Sequence, residues 1–179
     1  HAHVSKGVTS GGVFDVISGA PLSDKKSLHD LLFADNIAKH IPLFPPEYNA
    51  SISSKFGSRV CPRTHARKFH YGLDLVGPEK AEIYAAAEGK VLEVAQSKSY
   101  GRYILIDHAG VFKTKYAHMN KLLVATGERV FQGQKLGTQG STGHSTAPHL
   151  HFEIIYKNAA VDPLVFIGKS YYCGGEMNK

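Results

Sequence analysis

The chain has 179 residues, which suits one domain of about 100 to 150 residues with an appendage of about 45. Its 42% apolar and 20% charged residues are typical of a soluble globular protein, and no apolar run approaches the roughly 20 residues of a membrane-spanning helix. The net charge of +6 fits an anionic partner or a solvated basic surface, but no basic stripe interleaved with aromatic residues predicts a nucleic-acid partner.

The first 46 residues differ in character from the rest of the chain. Residues 1–22 are rich in glycine and serine without a sustained period, which predicts an extended arm. Apolar residues from 28 to 41 then recur at helical spacing behind a cap at Ser27, and Pro42 ends the pattern. We therefore divide the chain into an N-terminal arm and helix over 1–46, a main domain over 47–168 and a C-terminal tail over 169–179.

Beyond residue 47 the sequence changes to short segments that are rich in β-branched and aromatic residues and punctuated by glycine. These predicted strands are 83–86, 89–95, 103–108, 112–118, 122–125 and 150–156. Glycines at close spacing between 124 and 137 predict tight turns between short strands. The sequence therefore predicts a mainly β domain built on antiparallel sheet and preceded by a short leader that contains a helix.

Cys61 and Cys173 are the two cysteines of the chain. A bridge between them would close a long loop and stabilise the fold by about 4 to 5 kcal/mol. Two unpaired thiols are an equal alternative. Titration of free thiols under denaturing conditions separates the two cases.

Two histidines lie two residues apart, at His149 and His151. On a strand such residues point to the same face, while Leu150 and Phe152 face the opposite layer. The two histidines could also be exposed surface residues without a metal, so the prediction of a metal site needs a further ligand.

His70 and Asp74 offer that ligand, because residues four apart share a face on a strand or a helical turn, and imidazole with carboxylate is a usual zinc donor set. The plain alternative is a buried aspartate bonded to a histidine. With one histidine of the later pair, the set has three protein ligands and an open fourth position. That composition is typical of a catalytic rather than a structural zinc site.

His118 ends the predicted strand 112–118 and, together with His149, could move protons and stabilise a developing negative charge. Considered alone, His118 would be a strand-end histidine bonded to backbone. Glu153 is a candidate acceptor for the second N–H of a ligand histidine, and Gly72 lets the chain turn between two ligands. The other histidines of the domain are interpreted as surface or loop residues: His65, His108 and His144.

Three blocks of the sequence, Phe69–Leu75, Tyr116–His118 and Gly140–Glu153, resemble the lysostaphin-type, or LytM-like, zinc endopeptidases of peptidoglycan. The resemblance extends from about Ser51 to Pro163. It implies an antiparallel β-sheet domain with a narrow groove. The residue roles that it implies are Zn²⁺ ligands His70, Asp74 and His151 and catalytic residues His118 and His149. Ala147 stands where the family commonly has glycine, which affects the shape of the groove but removes no ligand.

The function that this resemblance implies is hydrolysis of an amide in peptidoglycan stem peptides or cross-links. The D-alanyl-diaminopimelate cross-link is the preferred bond and a glycine bridge the second. Peptidoglycan is then the partner, the site of action is extracytoplasmic, and a monomer is favoured. The sequence shows no basic segment followed by an apolar one, so we expect any secretion signal to have been removed or to lie outside this sequence.

Two alternatives remain at this stage. The first is a module of the same fold that binds cell wall or activates a hydrolase without catalysis. The second is a non-haem iron oxygenase, because two histidines and a carboxylate also describe the iron triad, although the surrounding blocks do not fit it. A separate hypothesis is that residues 1–45 lie across the groove and inhibit it, with Asp15, Asp35 or Asn36 at the open metal position.

Overall fold

The structure, a computed structural model, describes residues 38–60 and 66–167. The predicted arm and most of the predicted helix lie outside the described residues, and so do His65, Cys61, Cys173 and the tail. No helix in the described ranges is long and apolar enough to cross a membrane.

Strands make up most of the described chain. In chain order they are β1 (Ser51–Ser54), β2 (Gly57–Val60), β3 (Arg67–His70), β4 (Leu73–Val76), β5 (Glu82–Tyr84), β6 (Gly89–Ser97), β7 (Gly101–His108), β8 (Phe112–Met119), β9 (Lys121–Leu122), β10 (Arg129–Val130), β11 (Lys135–Thr138), β12 (Leu150–Tyr156) and β13 (Ala159–Val161). A 3-10 turn, Ala38–His40, precedes them, and a short helix, α1 (Leu164–Ile167), follows them.

The main sheet has eight strands in the order β1-β4-β12-β8-β7-β6-β10, with β13 paired to the second half of β12. Every pairing in it is antiparallel. A three-stranded sheet, β5-β11-β9, and a two-stranded sheet, β2-β3, complete the domain. The predicted mainly β, antiparallel fold is confirmed. The predicted strand 122–125 is too long at its end, because β9 ends at Leu122 and the chain then approaches a turn at Gly127, where φ is +90°.

Alternating side chains along the central strands separate the core from the groove. On β12, Leu150, Phe152 and Ile154 are fully buried in the core, and His151 lies between them on the opposite face. On β4, Leu73 and Leu75 do the same on either side of a polar residue. Burying each large apolar side chain contributes about 1.5 to 3 kcal/mol, so this alternation fixes which face carries the polar residues.

The described part of the leader packs on the domain. Ile41 belongs to the core, and the backbone N–H of Phe44 donates to the carbonyl of Ala86 at 3.0 Å. The N–H of Tyr84 donates to the carbonyl of Pro46 at 2.8 Å. The division at residues 46 and 47 stays a prediction, but a cut there would remove a segment that contributes to the core.

Candidate active site

Strand register brings Asp74 and His151 face to face. β12 pairs with β4 so that His151 is the cross-strand partner of Asp74, and opposed residues project from the same face of a sheet. The Nδ1 atom of His151 lies 2.8 Å from Oδ1 of Asp74. The core side chains on either side of His151 hold both polar groups on the groove face.

His70 reaches the same point from another sheet. It is the last residue of β3, and the chain bends at Tyr71 and Gly72 before β4 begins. Its Nε2 atom lies 3.0 Å from Oδ1 of Asp74 and 3.1 Å from Nδ1 of His151. His70 and Asp74 therefore do not share one strand or helical turn, as the spacing suggested. A bend between two strands brings them together.

Gly72 is required by close packing at this bend. A Cβ atom there would lie 2.6 Å from the carbonyl oxygen of Phe152 and 2.8 Å from Cε1 of His151. The φ angle of Gly72 lies outside the left-handed region, so the turn itself does not demand glycine. Gly72 thus lies in the bend between His70 and Asp74, as predicted, and the missing side chain lets this bend approach β12.

The second nitrogen of each histidine in this cluster has its own acceptor. Nδ1–H of His70 donates to the carbonyl of Lys55 at 2.8 Å, and a carbonyl can only accept. Nε2–H of His151 donates to Oε1 of Glu153 at 3.0 Å. The nitrogens that face each other, Nε2 of His70 and Nδ1 of His151, therefore carry lone pairs. This result supports the expectation that Glu153 accepts from a ligand histidine.

Two lone pairs and a carboxylate oxygen that converge in this way repel one another unless a cation lies among them. Bonds of about 2.0 to 2.2 Å from zinc to nitrogen or oxygen in tetrahedral geometry place ligand atoms about 3.3 Å apart. The three atoms here are 2.8 to 3.1 Å apart, within a small adjustment of that spacing. In residues 38–60 and 66–167, no fourth histidine, cysteine or acid joins the cluster. The donor set fits a zinc ion with one open position.

The electrostatics of the cluster favour the charged carboxylate. Burial acts to raise the pKa of Asp74, but close contacts of its carboxylate with the imidazole rings of His151 and His70 outweigh burial and hold the pKa well below its usual range. Burial also acts to lower the pKa of His151, whereas the neighbouring carboxylates of Asp74 and Glu153 raise it above the ordinary value. The carboxylates thus attract positive charge to the site.

His118 and His149 form a second pair beside the cluster, with ring centroids 4.6 Å apart. Nδ1–H of His118 donates to the carbonyl of Thr142 at 2.8 Å, and Nδ1–H of His149 donates to the carbonyl of Ala147 at 2.9 Å. Both Nε2 atoms are then free to accept a proton, and Nε2 of His149 lies 3.8 Å from Oδ1 of Asp74. Burial lowers the pKa of His118, which keeps that ring neutral near pH 7.

A bulge near the end of β8 sets the direction of His118. Arg102 on β7 pairs with Met119 and Ile104 with Tyr116, so β8 has one more residue than β7 between these pairs. His118 adopts a left-handed backbone with φ of +61°, which is rare for a residue with a Cβ atom. Backbone strain of this kind concentrates at functional sites.

The loop from Ser141 to Pro148 carries the acceptors of this histidine pair, and two glycines hold it against β7. Gly101 and Gly143 have φ of +62° and +75° and pack back to back. A Cβ atom on Gly143 would lie 2.2 Å from the backbone nitrogen of Gly101. This contact fixes Thr142, whose side chain also accepts from the N–H of Arg102 at 2.9 Å and donates to the carbonyl of Met119 at 2.9 Å.

Glu153 is the centre of a buried network that the sequence did not reveal. Tyr100 donates its hydroxyl hydrogen to Oε1 at 2.9 Å, and Nζ of Lys115 lies 3.2 Å from Oε2. Lys115 also sits 4.0 Å above the ring of Tyr100. The cross-strand pairing of Lys115 with Glu153 on β8 and β12 was the one available signal, and it depends on knowing the register.

A groove of about 530 Å³ is lined by all five predicted site residues: His70, Asp74, His118, His149 and His151. His144, exposed on the loop, also lines it. His108 does not, and its interpretation as a surface or loop residue is wrong. His108 is fully buried, its Nδ1–H donates to the carbonyl of Glu88 at 2.7 Å, and its Nε2 lies 2.7 Å from the hydroxyl oxygen of Thr114. Burial lowers the pKa of His108 to about 4.

The sequence profile of peptidase family M23 matches residues 68–163, more than half of the chain. The chain therefore belongs to peptidase family M23. The predicted resemblance is confirmed, and zinc as the cofactor is confirmed by the family, by a zinc-containing structural relative and by the cluster of His70, Asp74 and His151. The separate roles of the five site residues stay predictions.

Curated relatives and solved structures agree with this family. The chain is 42% identical over 95 residues to "Peptidoglycan DD-endopeptidase ShyB" of Vibrio cholerae, covering 53% of this chain and 22% of the relative. It is 42% identical over 113 residues to "Peptidoglycan DD-endopeptidase ShyC" of the same organism, covering 63% of this chain and 26% of the relative. The chain thus spans about a quarter of the length of these relatives.

Among solved structures, a zinc-containing peptidase from Vibrio cholerae superposes with a TM-score of 0.63 and 39% identity, over 66% of this chain and 37% of that one. The catalytic domain of lysostaphin from Staphylococcus simulans superposes with a TM-score of 0.60 and 32% identity, over 66% of this chain and 92% of that one. The described domain therefore corresponds to nearly the whole of a lysostaphin catalytic domain.

Proposed function

We propose that this chain is a zinc-dependent endopeptidase that hydrolyses amide bonds in the stem peptides or cross-links of peptidoglycan. The observation that carries the proposal is the convergence of Nε2 of His70, Oδ1 of Asp74 and Nδ1 of His151 on one point of an open groove. Two similar relatives are named peptidoglycan DD-endopeptidases, which supports this substrate class.

His70, Asp74 and His151 would hold the ion. A zinc ion with an open position polarises an amide carbonyl and lowers the pKa of water, which supplies the chemistry of hydrolysis. The remote hydrogen bonds to Lys55 and Glu153 keep both ligand rings in the required tautomer and orientation.

His118 and His149 would act on the substrate. Each has an Nε2 lone pair on the groove side, because its Nδ1–H is committed to a backbone carbonyl. Such a nitrogen can accept a proton and, once protonated, donate to an anionic oxygen or to the departing amine. The neutral state of His118 near pH 7 suits a proton acceptor.

For the scissile bond, the D-alanyl-diaminopimelate cross-link is the first choice, since the names of the relatives describe DD-endopeptidases. A glycine bridge is the second choice. Peptidoglycan lies outside the cytoplasmic membrane, so we propose an extracytoplasmic site of action. The chain acts as a monomer in this proposal.

The test is digestion of isolated peptidoglycan by the zinc-loaded chain, followed by mass spectrometry of the released fragments. We expect cross-linked dimers to be converted to monomers, and we expect the His151→Ala variant to release nothing. If the zinc-loaded wild-type chain and a fragment starting at Ala38 both release nothing, a wall-binding or activating module of the same fold replaces this proposal.

A further inference from the structure

Arg59 is the one lysine or arginine among the described residues that line the groove. It lies on β2, where it pairs with Lys68 of β3, and its side chain is exposed. The other groove residues with polar groups are histidines, hydroxyl residues and two acids. Arg59 is therefore the one permanent positive charge on this described wall.

The guanidinium is positioned close to the metal cluster. Its Nη1 donates to Oγ of Ser54 at 2.8 Å, and the same Oγ lies 3.4 Å from Nδ1 of His70. Ser54 thus connects the guanidinium of Arg59 to the ring of His70, a predicted metal ligand. Across residues 38–60 and 66–167, no carboxylate forms an ion pair with it. A guanidinium has five N–H donors, so most of its donors remain for a ligand.

The acids of the groove already have partners. Oδ1 of Asp74 belongs to the metal cluster, and Glu153 is bonded to His151, Tyr100 and Lys115. A carboxylate that satisfies Arg59 must therefore come from outside this set. Arginine binds carboxylates through two parallel N–H donors, which gives geometric selectivity as well as charge attraction.

Two exposed aromatic rings, those of Phe69 and Tyr71, line the same groove as Arg59. Phe69 and Tyr71 are 46% and 57% exposed, with ring centroids 5.0 Å apart. Phe69 packs edge-on against Phe56 at 5.1 Å, which holds the pair in place. Such a wall suits a ligand with an aliphatic body and an anionic end.

We propose that Arg59 is a specificity-determining residue that binds a free carboxylate of the stem peptide flanking the scissile amide, while Phe69 and Tyr71 contact the aliphatic part of the same residue. This inference rests on the proposed function. A diaminopimelate cross-link carries such a carboxylate on the carbon that bears the cross-linked amino group, and a glycine bridge carries none along its length. Arg59 would therefore favour the first substrate class over the second.

The test uses defined cross-linked peptide dimers that differ in one group. One dimer has all carboxylates free, a second has the carboxylate next to the scissile amide converted to carboxamide, and a third has the C-terminal carboxylate converted instead. The zinc-loaded full chain, Arg59→Gln and Arg59→Lys are compared by kcat and KM, with zinc content and thermal unfolding measured for each. Arg129→Gln on β10, an edge strand of the main sheet that does not line the groove, is the matched control.

We expect Arg59→Gln to lower kcat/KM on the free dimer by about 10- to 100-fold, mainly through KM, and Arg59→Lys to lower it less. On one of the two amidated dimers, wild type and Arg59→Gln should become equal, which identifies the carboxylate that is bound. The Arg129→Gln control should match wild type throughout.

Equal cleavage of all three dimers by wild type and Arg59→Gln would overturn the inference and leave the proposed function intact. A uniform loss in Arg59→Gln on all three dimers would also overturn it, since the residue would then act without reference to a carboxylate. If the zinc-loaded wild type cleaves no dimer, the proposed function itself fails, and the inference fails with it.

Discussion

At the scale of single residues, the site depends on which group accepts the hydrogen bond from the remote ring nitrogen of each histidine. Backbone carbonyls of Lys55, Thr142 and Ala147 accept from three of the four rings, and a carboxylate accepts from the fourth. These acceptors fix the tautomers, so a change in them alters the site without touching a ligand.

Glu153→Gln tests this dependence on acceptors. The substitution keeps the shape of the side chain but removes the negative charge that accepts from His151 and pairs with Lys115. We expect zinc affinity to fall about 10- to 100-fold, measured by competition with a chelator. Glu93→Gln is the control, because Glu93 likewise accepts from a tyrosine hydroxyl, that of Tyr103, but lies on the exposed face. Equal zinc affinity in the two variants would refute the account of Glu153.

At the scale of elements, the sequence predicted the strands but not the bulges and bends that connect and redirect them. Alternation identified β12 and the shared face of His149 and His151, because that period is local to one strand. The bulge that turns His118 into the groove and the bend that joins His70 to Asp74 depend on pairing with distant strands. Patterns in neighbouring residues carry no information about such pairing. The resemblance of three sequence blocks to a family therefore identified the site residues, but residue spacing did not predict how they come together.

The contact between the loop from Ser141 to Pro148 and β7 gives an element-scale prediction. Gly143→Ala places a Cβ atom at a left-handed position and against the backbone of Gly101. Gly110→Ala is the matched control, because its φ of +74° carries the same strain with nothing within 4 Å of the added atom. We expect a loss of about 1 kcal/mol for the control and about 3 kcal/mol for Gly143→Ala in urea unfolding.

The hydrolytic activity of Gly143→Ala and Gly110→Ala should differ in the same direction as their stability. Displacement of the loop moves the carbonyl of Thr142 away from Nδ1 of His118, so kcat should fall in Gly143→Ala and not in Gly110→Ala. Equal stability losses for the two variants would show that backbone strain alone, rather than the loop contact, governs this position.

At the scale of the whole molecule, the leader and the domain share a core. The carboxyl group of Glu47 is fully buried at this junction, where Glu47 bridges to Ile83 and its side chain meets the backbone of Gly77. Burial raises the pKa of Glu47 to about 8, although the hydrogen bond from Gly77 lowers it in part. A fragment that tests inhibition by the leader should therefore begin at Ala38 rather than Tyr48, so that Ile41 and Glu47 keep their packing.

The raised pKa of Glu47 predicts how stability depends on pH. The folded state retains a proton that the unfolded state loses above pH 4.5, so this contribution is complete below pH 4.5 and is lost as pH rises through about 8. Between pH 6 and 8, the free energy of unfolding of the zinc-loaded wild type should fall by about 1 kcal/mol per pH unit relative to Glu47→Gln, which has no proton to lose. Exposed Glu79→Gln is the control and should follow wild type. Parallel curves for wild type and Glu47→Gln would contradict the assignment.

The central claim is that the chain uses two separate groups of residues. One group binds zinc, and a pair of histidines, His118 and His149, transfers the proton. The most direct measurement is kcat on a cross-linked peptidoglycan dimer for wild type and His118→Ala, with zinc content determined on the same samples. We predict one zinc per chain in both proteins and a kcat about 10²- to 10⁴-fold lower in the variant. Full activity in the zinc-bearing variant, or loss of zinc together with activity, would contradict this division of roles.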